Sequence, residues 1–236
     1  MFEKLPATEH FTKATYNRFL LPKVLKDIAQ YVIYLDADIL CLGEISDLVG
    51  FNFEGKIVSV VNDIDTVAKR QIKSLGLKEN KYFNAGFLYI DIKAWNSSDI
   101  SEKAIEVSFA KLGKLDWLDQ DALNIVLEGK VKFIDIKYDY IFDLGGNKQI
   151  KELPKNTVFV HYAGRFKPWH EWCMHSLRED FLSYAKLSPW ADISLIKPQS
   201  YKDMKKMAKA CFAYNKVTEG IKWYLKYTFL KFKSKF

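Results

Sequence analysis

Tyr31-Val32-Ile33-Tyr34-Leu35 is an unbroken β-branched and aromatic run that halts at Asp36-Ala37-Asp38. A run of that kind predicts a strand buried on both faces, as inner strands of parallel sheets are. Further strands are expected over 57–61, over 87–92 (entered through Asn84-Ala85-Gly86), over 131–136 and over 157–160. Helical spacing recurs between them. Tyr16, Phe19, Leu20, Val24 and Ile28 predict a helix over 15–28, with Thr12 or Thr15 as its cap and a kink or break at Pro22. Other helices are expected over 66–75, 100–111 and 119–127. Strands alternating with helices imply an α/β fold with a mostly parallel sheet and flanking helices.

The 236 residues are 49% hydrophobic and 28% charged, which excludes a disordered or fibrous chain. No apolar run approaches the roughly 18 residues that a membrane helix needs, and nothing near Met1 resembles a signal peptide. Cys41, Cys173 and Cys211 are far apart and odd in number, so no disulfide framework is expected and a reducing cytosol is the default. The net charge of +7 is concentrated at one end: after Pro189 stand eleven lysines and ten aromatic residues against three acids. This divides the chain into a near-neutral domain, 1–188, and a basic aromatic helical extension, 189–236.

Ligands of open α/β sheets collect at the carboxyl ends of strands. Asp36 and Asp38 stand there, and carboxylates at i and i+2 can converge on one ion as the chain turns away. They are hard oxygen ligands, suited to Mg²⁺ or Mn²⁺ bridging phosphate oxygens. Two other readings remain open from the residues alone. Both acids could simply cap the turn, or Asp36 could be the nucleophile of a haloacid-dehalogenase-type phosphatase, with Asp63 and Asp65 as its later acidic pair.

Three further motifs follow. Tyr82-Phe83-Asn84-Ala85-Gly86-Phe87 precedes a strand, Asp119-Gln120-Asp121-Ala122-Leu123-Asn124 opens a helix, and His161-Tyr162-Ala163-Gly164-Arg165-Phe166-Lys167-Pro168-Trp169 follows a strand. With Tyr34-Leu35-Asp36-Ala37-Asp38-Ile39-Leu40, their order and rough spacing resemble the family 8 glycosyltransferases. These include the retaining hexosyltransferases of bacterial lipopolysaccharide and lipooligosaccharide synthesis. The resemblance covers about residues 10–172 and implies a nucleotide-diphospho-sugar transferase fold of the GT-A kind.

The resemblance implies that Asp36, Asp38 and His161 hold a Mn²⁺ or Mg²⁺ ion that neutralises the departing diphosphate. It implies donor contacts from Arg18, Ala37, Asn84, Ala85, Gly86, Gly164 and Lys167, and places His10 and Asp63 on the acceptor side. Asp119 would hydrogen-bond the hexose, and Asp119 could also serve as a helix N-cap. Gln120 would lie beneath the anomeric carbon. Because Gln120 is a poor nucleophile, the expected reaction is a front-face transfer through an oxocarbenium-like transition state. The leaving phosphate would take the acceptor's proton, and Asp119 or Asp121 as a true nucleophile is the less favoured course.

The family has a strand and a nucleotide loop ahead of the stretch matching His10 to Arg18. None occurs ahead of it here, so weak, base-indifferent donor binding is expected, and a truncated, inactive sugar- or metal-binding relative is the alternative. The extension resembles the basic C-terminal region of the lipopolysaccharide glucosyl- and galactosyltransferases. Its basic, aromatic helices suit an anionic membrane surface. The expected partners are therefore a UDP-hexose, a lipopolysaccharide core acceptor and the inner face of the bacterial cytoplasmic membrane, with no nucleic acid.

Overall fold

The computed structural model describes residues 5, 13–145 and 150–234. The chain divides into two compact units: Met1–Tyr140 with Asn156–Val160, and Ile141–Lys155 with His161–Phe236. The strands are β1 (Tyr31–Leu35), β2 (Ile39–Cys41), β3 (Val58–Asn62), β4 (Phe83–Asp91), β5 (Val131–Phe133), β6 (Tyr140–Ile141) and β7 (Phe159–His161). The first unit carries the α-helices α1 (Leu21–Val24), α2 (Asp65–Leu75), α3 (Ile92–Ser97), α4 (Ile100–Ala110) and α5 (Leu118–Val126).

Its main sheet has the order β1-β4-β3-β5, and a second, three-stranded sheet runs β2-β7-β6. In the main sheet β4 pairs antiparallel with both β1 and β3, and only β3 with β5 is parallel. The mixed α/β architecture is the expected one, but the mostly parallel pairing is not. The apolar runs arise from a central position rather than from strand direction. Leu88 and Ile90 of β4 join a core with Val58, Val60, Trp95, Ile100, Ala122 and Leu123. Phe87 and Tyr89 point the other way, into a cluster with Leu48, Phe53, Val61, Tyr138 and Phe159. Conversely β1, read as buried on both faces, is an edge strand of this sheet with Tyr31 and Leu35 exposed.

Asn84-Ala85-Gly86 lies inside β4, not before it. Val61 pairs with Asn84 and Ser59 with Tyr89, so the pairing register shifts between them. This irregularity holds extra β4 residues out of the ladder, and such bulges re-aim backbone groups toward a site. The helix expected over 15–28 is instead a 3₁₀ segment, Lys13–Phe19, followed by α1 with Pro22 in its first turn. Proline is tolerated there because a first-turn N–H has no helical partner to lose.

The second unit contains α6 (Arg178–Lys186), α7 (Tyr201–Ala213) and α8 (Val217–Lys233). Helix α6 was not foreseen. α7 begins with a reciprocal capping box between Ser200 and Asp203. It packs Met207, Ala210 and Cys211 against Trp172, with Phe166, Met174 and Trp223 around them. The boundary expected at 188/189 is thus not a division between compact units, because α7 covers aromatic residues that precede it. No helix among the described residues is long and apolar enough to cross a membrane.

Candidate active site

The β4 irregularity organises the site in the first unit. Gly86 gives its carbonyl to the Asp36 amide at 2.9 Å, which sets the start of the Asp36-Ala37-Asp38 turn. The Gly86 amide donates to Asn84 Oδ1 at 2.8 Å, and the Ala85 amide donates to Gln120 Oε1 at 3.0 Å. The Ala85 carbonyl accepts from Arg18 Nη1. Backbone groups released from the ladder therefore fix three site side chains.

Arg18 is 7% exposed. Its Nη2 lies 2.9 Å from Asp36 Oδ1, its Nε lies 2.9 Å from Asp119 Oδ2, and its guanidinium sits 4.7 Å from the centre of the Tyr34 ring. Nε–H is directed at the Thr15 carbonyl, 3.2 Å away. Asp119 Oδ2 consequently has the charge of Arg18 beside it but, among the described residues, no aligned hydrogen bond. The Asp119 Oδ1 accepts from the Thr15 hydroxyl at 2.6 Å. Burial pushes the Asp119 carboxyl above the ordinary aspartate range, against the pull of Arg18 and Thr15.

Gln120 is held on three sides. Besides accepting from Ala85, its Nε2 donates to Asp63 Oδ2 at 2.8 Å and to the Tyr82 hydroxyl at 3.0 Å. Asp63 also accepts from Asn84 Nδ2 and the Ile64 amide, and burial raises its carboxyl. Asp119, Gln120, Asp63, Asn84, Ala85 and Arg18 are thereby brought together.

Two expectations change. Asp119 is not the N-cap of α5; Trp117 occupies that position, and Asp119 lies in the first turn. Asp121 is not placed for chemistry. It is fully buried, its Oδ1 accepts from Tyr82 at 2.5 Å and its Oδ2 from the Trp117 amide at 2.9 Å, so both oxygens serve the entry of α5. Thr15, Tyr34 and Tyr82 were not singled out as site residues from sequence. Tyr34 and Tyr82 each stand at the head of a recognised motif, and Thr15 was read only as a helix cap; their roles in the site depend on tertiary placement. His10 and Thr12 lie outside the described residues.

Asp36, Asp38 and His161 each offer one ligand atom, and those atoms lie within 4.8 Å of one another. Tyr34 Oη donates to Asp36 Oδ1 at 2.6 Å, the same oxygen that Arg18 engages. Two carboxylates and an imidazole suit a divalent ion of Mn²⁺ or Mg²⁺ type, the imidazole favouring Mn²⁺. Ala37 is exposed at the tip of the turn.

In the second unit, Gly164 adopts φ +88°, where a Cβ would stand 3.0 Å from Asp143 Oδ1. Glycine is favoured there by conformation and by the lack of room for a Cβ. Lys167 Nζ donates to the Tyr162 carbonyl at 2.8 Å, and its amide donates to His170 Nδ1 at 3.1 Å.

A family model described as glycosyl transferase family 8 matches residues 1–173. The chain belongs to this family. A second model, for the C-terminal region of family 8, matches residues 178–231 and so takes in the basic extension. The lipopolysaccharide 1,3-galactosyltransferase of Salmonella typhimurium is 38% identical over 237 residues, 95% of this chain and 69% of that protein. The lipopolysaccharide glucosyltransferase WaaO of Escherichia coli K12 is 36% identical over 242 residues, 97% of this chain and 70% of that protein. In fold, the chain resembles the galactosyltransferase LgtC, solved with donor and acceptor sugar analogs, at a TM-score of 0.69 and 24% identity; the match covers 80% of this chain and 72% of LgtC. Family 8 membership makes this chain a retaining hexosyltransferase and removes the phosphatase alternative.

Proposed function

We propose that the chain moves glucose or galactose from a UDP-hexose to a sugar of the lipopolysaccharide core, with retention. The observation that carries this is the Arg18 bridge. One buried guanidinium joins Asp36, at the cation end of the site, to Asp119, at the sugar end. Diphosphate and hexose are then held in one fixed frame, which is what a reaction at the bond between them needs. The names of the relatives support lipopolysaccharide as the acceptor class.

Asp36, Asp38 and His161 would hold Mn²⁺ or Mg²⁺, which when bound neutralises charge on the leaving diphosphate. Lys167 adds a cation on the loop whose backbone Gly164 keeps open. Asp119, held by Arg18 and Thr15, stands on the hexose side, and Asn84 and Gly86 line the sugar's other side. Gln120 turns the free lone pair of Oε1 toward the positive charge that develops at the anomeric carbon. Asp63 faces the acceptor. The anomeric carbon–oxygen bond to the diphosphate breaks, a bond to the acceptor oxygen forms on the same face, and the leaving phosphate oxygen takes the acceptor's proton.

The extension is proposed to rest on an anionic membrane surface on the cytoplasmic side. Ile221, Leu225, Phe229 and Phe232 of α8 are at least half exposed, and Lys222, Lys226 and Lys233 are exposed on the same helix. Apolar side chains in reach of lysines are the pattern of an interfacial helix.

The test is UDP release from UDP-glucose and UDP-galactose with Mn²⁺ and a core-truncated lipopolysaccharide. The anomeric configuration of the product is read by NMR. Retained configuration is expected, together with loss of both turnover and calorimetric Mn²⁺ binding in Asp38→Ala. Undiminished Mn²⁺ affinity in that variant would refute the metal assignment, and an inverted product would refute the front-face course.

A further inference from the structure

Gln120 carries a symmetric-looking amide, and its chemistry depends on which end faces the sugar. Three groups decide this. The Ala85 amide can only donate, so it requires Oε1 on its side. The Asp63 carboxylate accepts one Nε2 hydrogen. The second Nε2 hydrogen needs another acceptor, and the Tyr82 hydroxyl lies there at 3.0 Å. A hydroxyl can donate or accept, so its direction must itself be set. Asp121 sets it. Its Oδ1 accepts a hydrogen bond from the Tyr82 hydroxyl at 2.5 Å, and its Oδ2 is already engaged by the Trp117 amide. Tyr82 is fully buried, so no water competes for its hydroxyl. Burial and the neighbouring Asp121 push its phenol far above the ordinary tyrosine range, so it keeps its proton.

We propose that Tyr82 is a positioning residue for transfer, its hydroxyl relaying the hydrogen-bond polarity of Asp121 to Gln120 so that Gln120 Oε1 is the atom presented to the reacting carbon. This rests on the role given to Gln120 above. It also gives the buried Asp121 a function two hydrogen bonds away from Gln120: it orients without touching the substrate.

The test is a double-mutant cycle on the Mn²⁺-loaded protein, with donor KM and kcat measured separately. Tyr82→Phe keeps the ring and removes the hydroxyl. It should lower kcat by about 10-fold with donor KM within about twofold, the signature of a loosened reacting group. Gln120→Ala should lower kcat by about 10²-fold. In the Gln120→Ala background, Tyr82→Phe should cost less than about twofold more, because the residue it acts through is gone. A full 10-fold further loss there would overturn the relay while leaving the role of Gln120 intact. An unchanged kcat in Gln120→Ala would remove that role and the relay with it.

A second readout does not depend on turnover. Amide hydrogen exchange at Ala85, whose N–H is held by Gln120, should quicken in Tyr82→Phe. Exchange at Phe83, whose N–H is held by Asn124 at 2.9 Å, should not change. If Tyr82→Phe fails to fold, Asp121→Ala removes the acceptor that sets the direction of the same hydroxyl. Ala85 exchange should again quicken. Unchanged Ala85 exchange in the variant that folds overturns the proposal.

Discussion

Replacing Arg18 with methionine should be among the most damaging single changes in the first unit. The aliphatic stem is kept, and the guanidinium is lost with its charge and its donors. Asp119, 3% exposed, and Asp36 beside it would keep their negative charges without the guanidinium that lies 2.9 Å from each. Breaking a buried ion pair by removing one partner costs about 3–5 kcal/mol. The Ala85 carbonyl also loses its donor, adding about 1 kcal/mol. The hydroxyls of Thr15 and Tyr34 remain on the two carboxylates and soften the loss, so about 4 kcal/mol is expected. Against a usual domain stability of about 5–15 kcal/mol, that is a large fraction.

The pH dependence has a definite sign. Burial already holds the Asp119 carboxyl above its ordinary range, and without Arg18 it rises further. A carboxyl whose folded pKa exceeds its unfolded pKa takes up a proton first in the folded state. The variant should therefore regain stability as the pH falls through that raised folded value, and its deficit should be smaller at pH 5 than at pH 8. Urea unfolding followed by tryptophan fluorescence measures both. Asp119→Asn added to Arg18→Met should recover about half of the loss. A deficit under about 1 kcal/mol, or one that neither pH nor Asp119→Asn relieves, would refute the argument that buried charge is what Arg18 answers.

His170 gives a second pH effect of opposite sign. Burial, then the nearby Lys206 and Lys167 charges, hold its imidazole down at about 4, with Asp203 opposing, while its ring stacks on Trp172 at 4.3 Å. The unfolded chain binds this proton near pH 6.5 and the folded chain only near 4, so stability should fall as the pH drops across that window, by about 1–2 kcal/mol at pH 5. His170→Phe should flatten the slope in urea midpoints between pH 7 and pH 5; an unaltered slope would show that another group is responsible. Gly164→Ala should destabilise by about 1–2 kcal/mol, because its φ of +88° is strained for any Cβ and Asp143 stands 3.0 Å from where one would be. A neutral result in thermal melts would mean that the loop re-forms without the left-handed turn.

The sequence by itself determined the elements whose signals are local. The halt of an apolar run at Asp36-Ala37-Asp38, the helical spacing of α2, α4 and α5, and the order of four short motifs identified the family and most of the residues that now face one another. Local composition also marked the extension as helical, and α7 and α8 stand there. Strand direction was not determined. A strand covered on both faces reads the same whether its neighbours run parallel or antiparallel, so β4 looked like a parallel strand and proved antiparallel to both of its partners. Tertiary structure alone decided that Asn84-Ala85-Gly86 sits in the irregular stretch of β4, since a shift of register exists only relative to a partner strand. It also decided the division of labour between Asp119 and Asp121. Two residues apart in α5, they point in different directions: Asp119 toward Arg18 and Thr15, Asp121 toward Tyr82 and the Trp117 amide. Chemistry and spacing cannot separate two such aspartates; only the groups that meet each one, brought together by the fold, make one the partner of Arg18 and the other a support for the entry of α5.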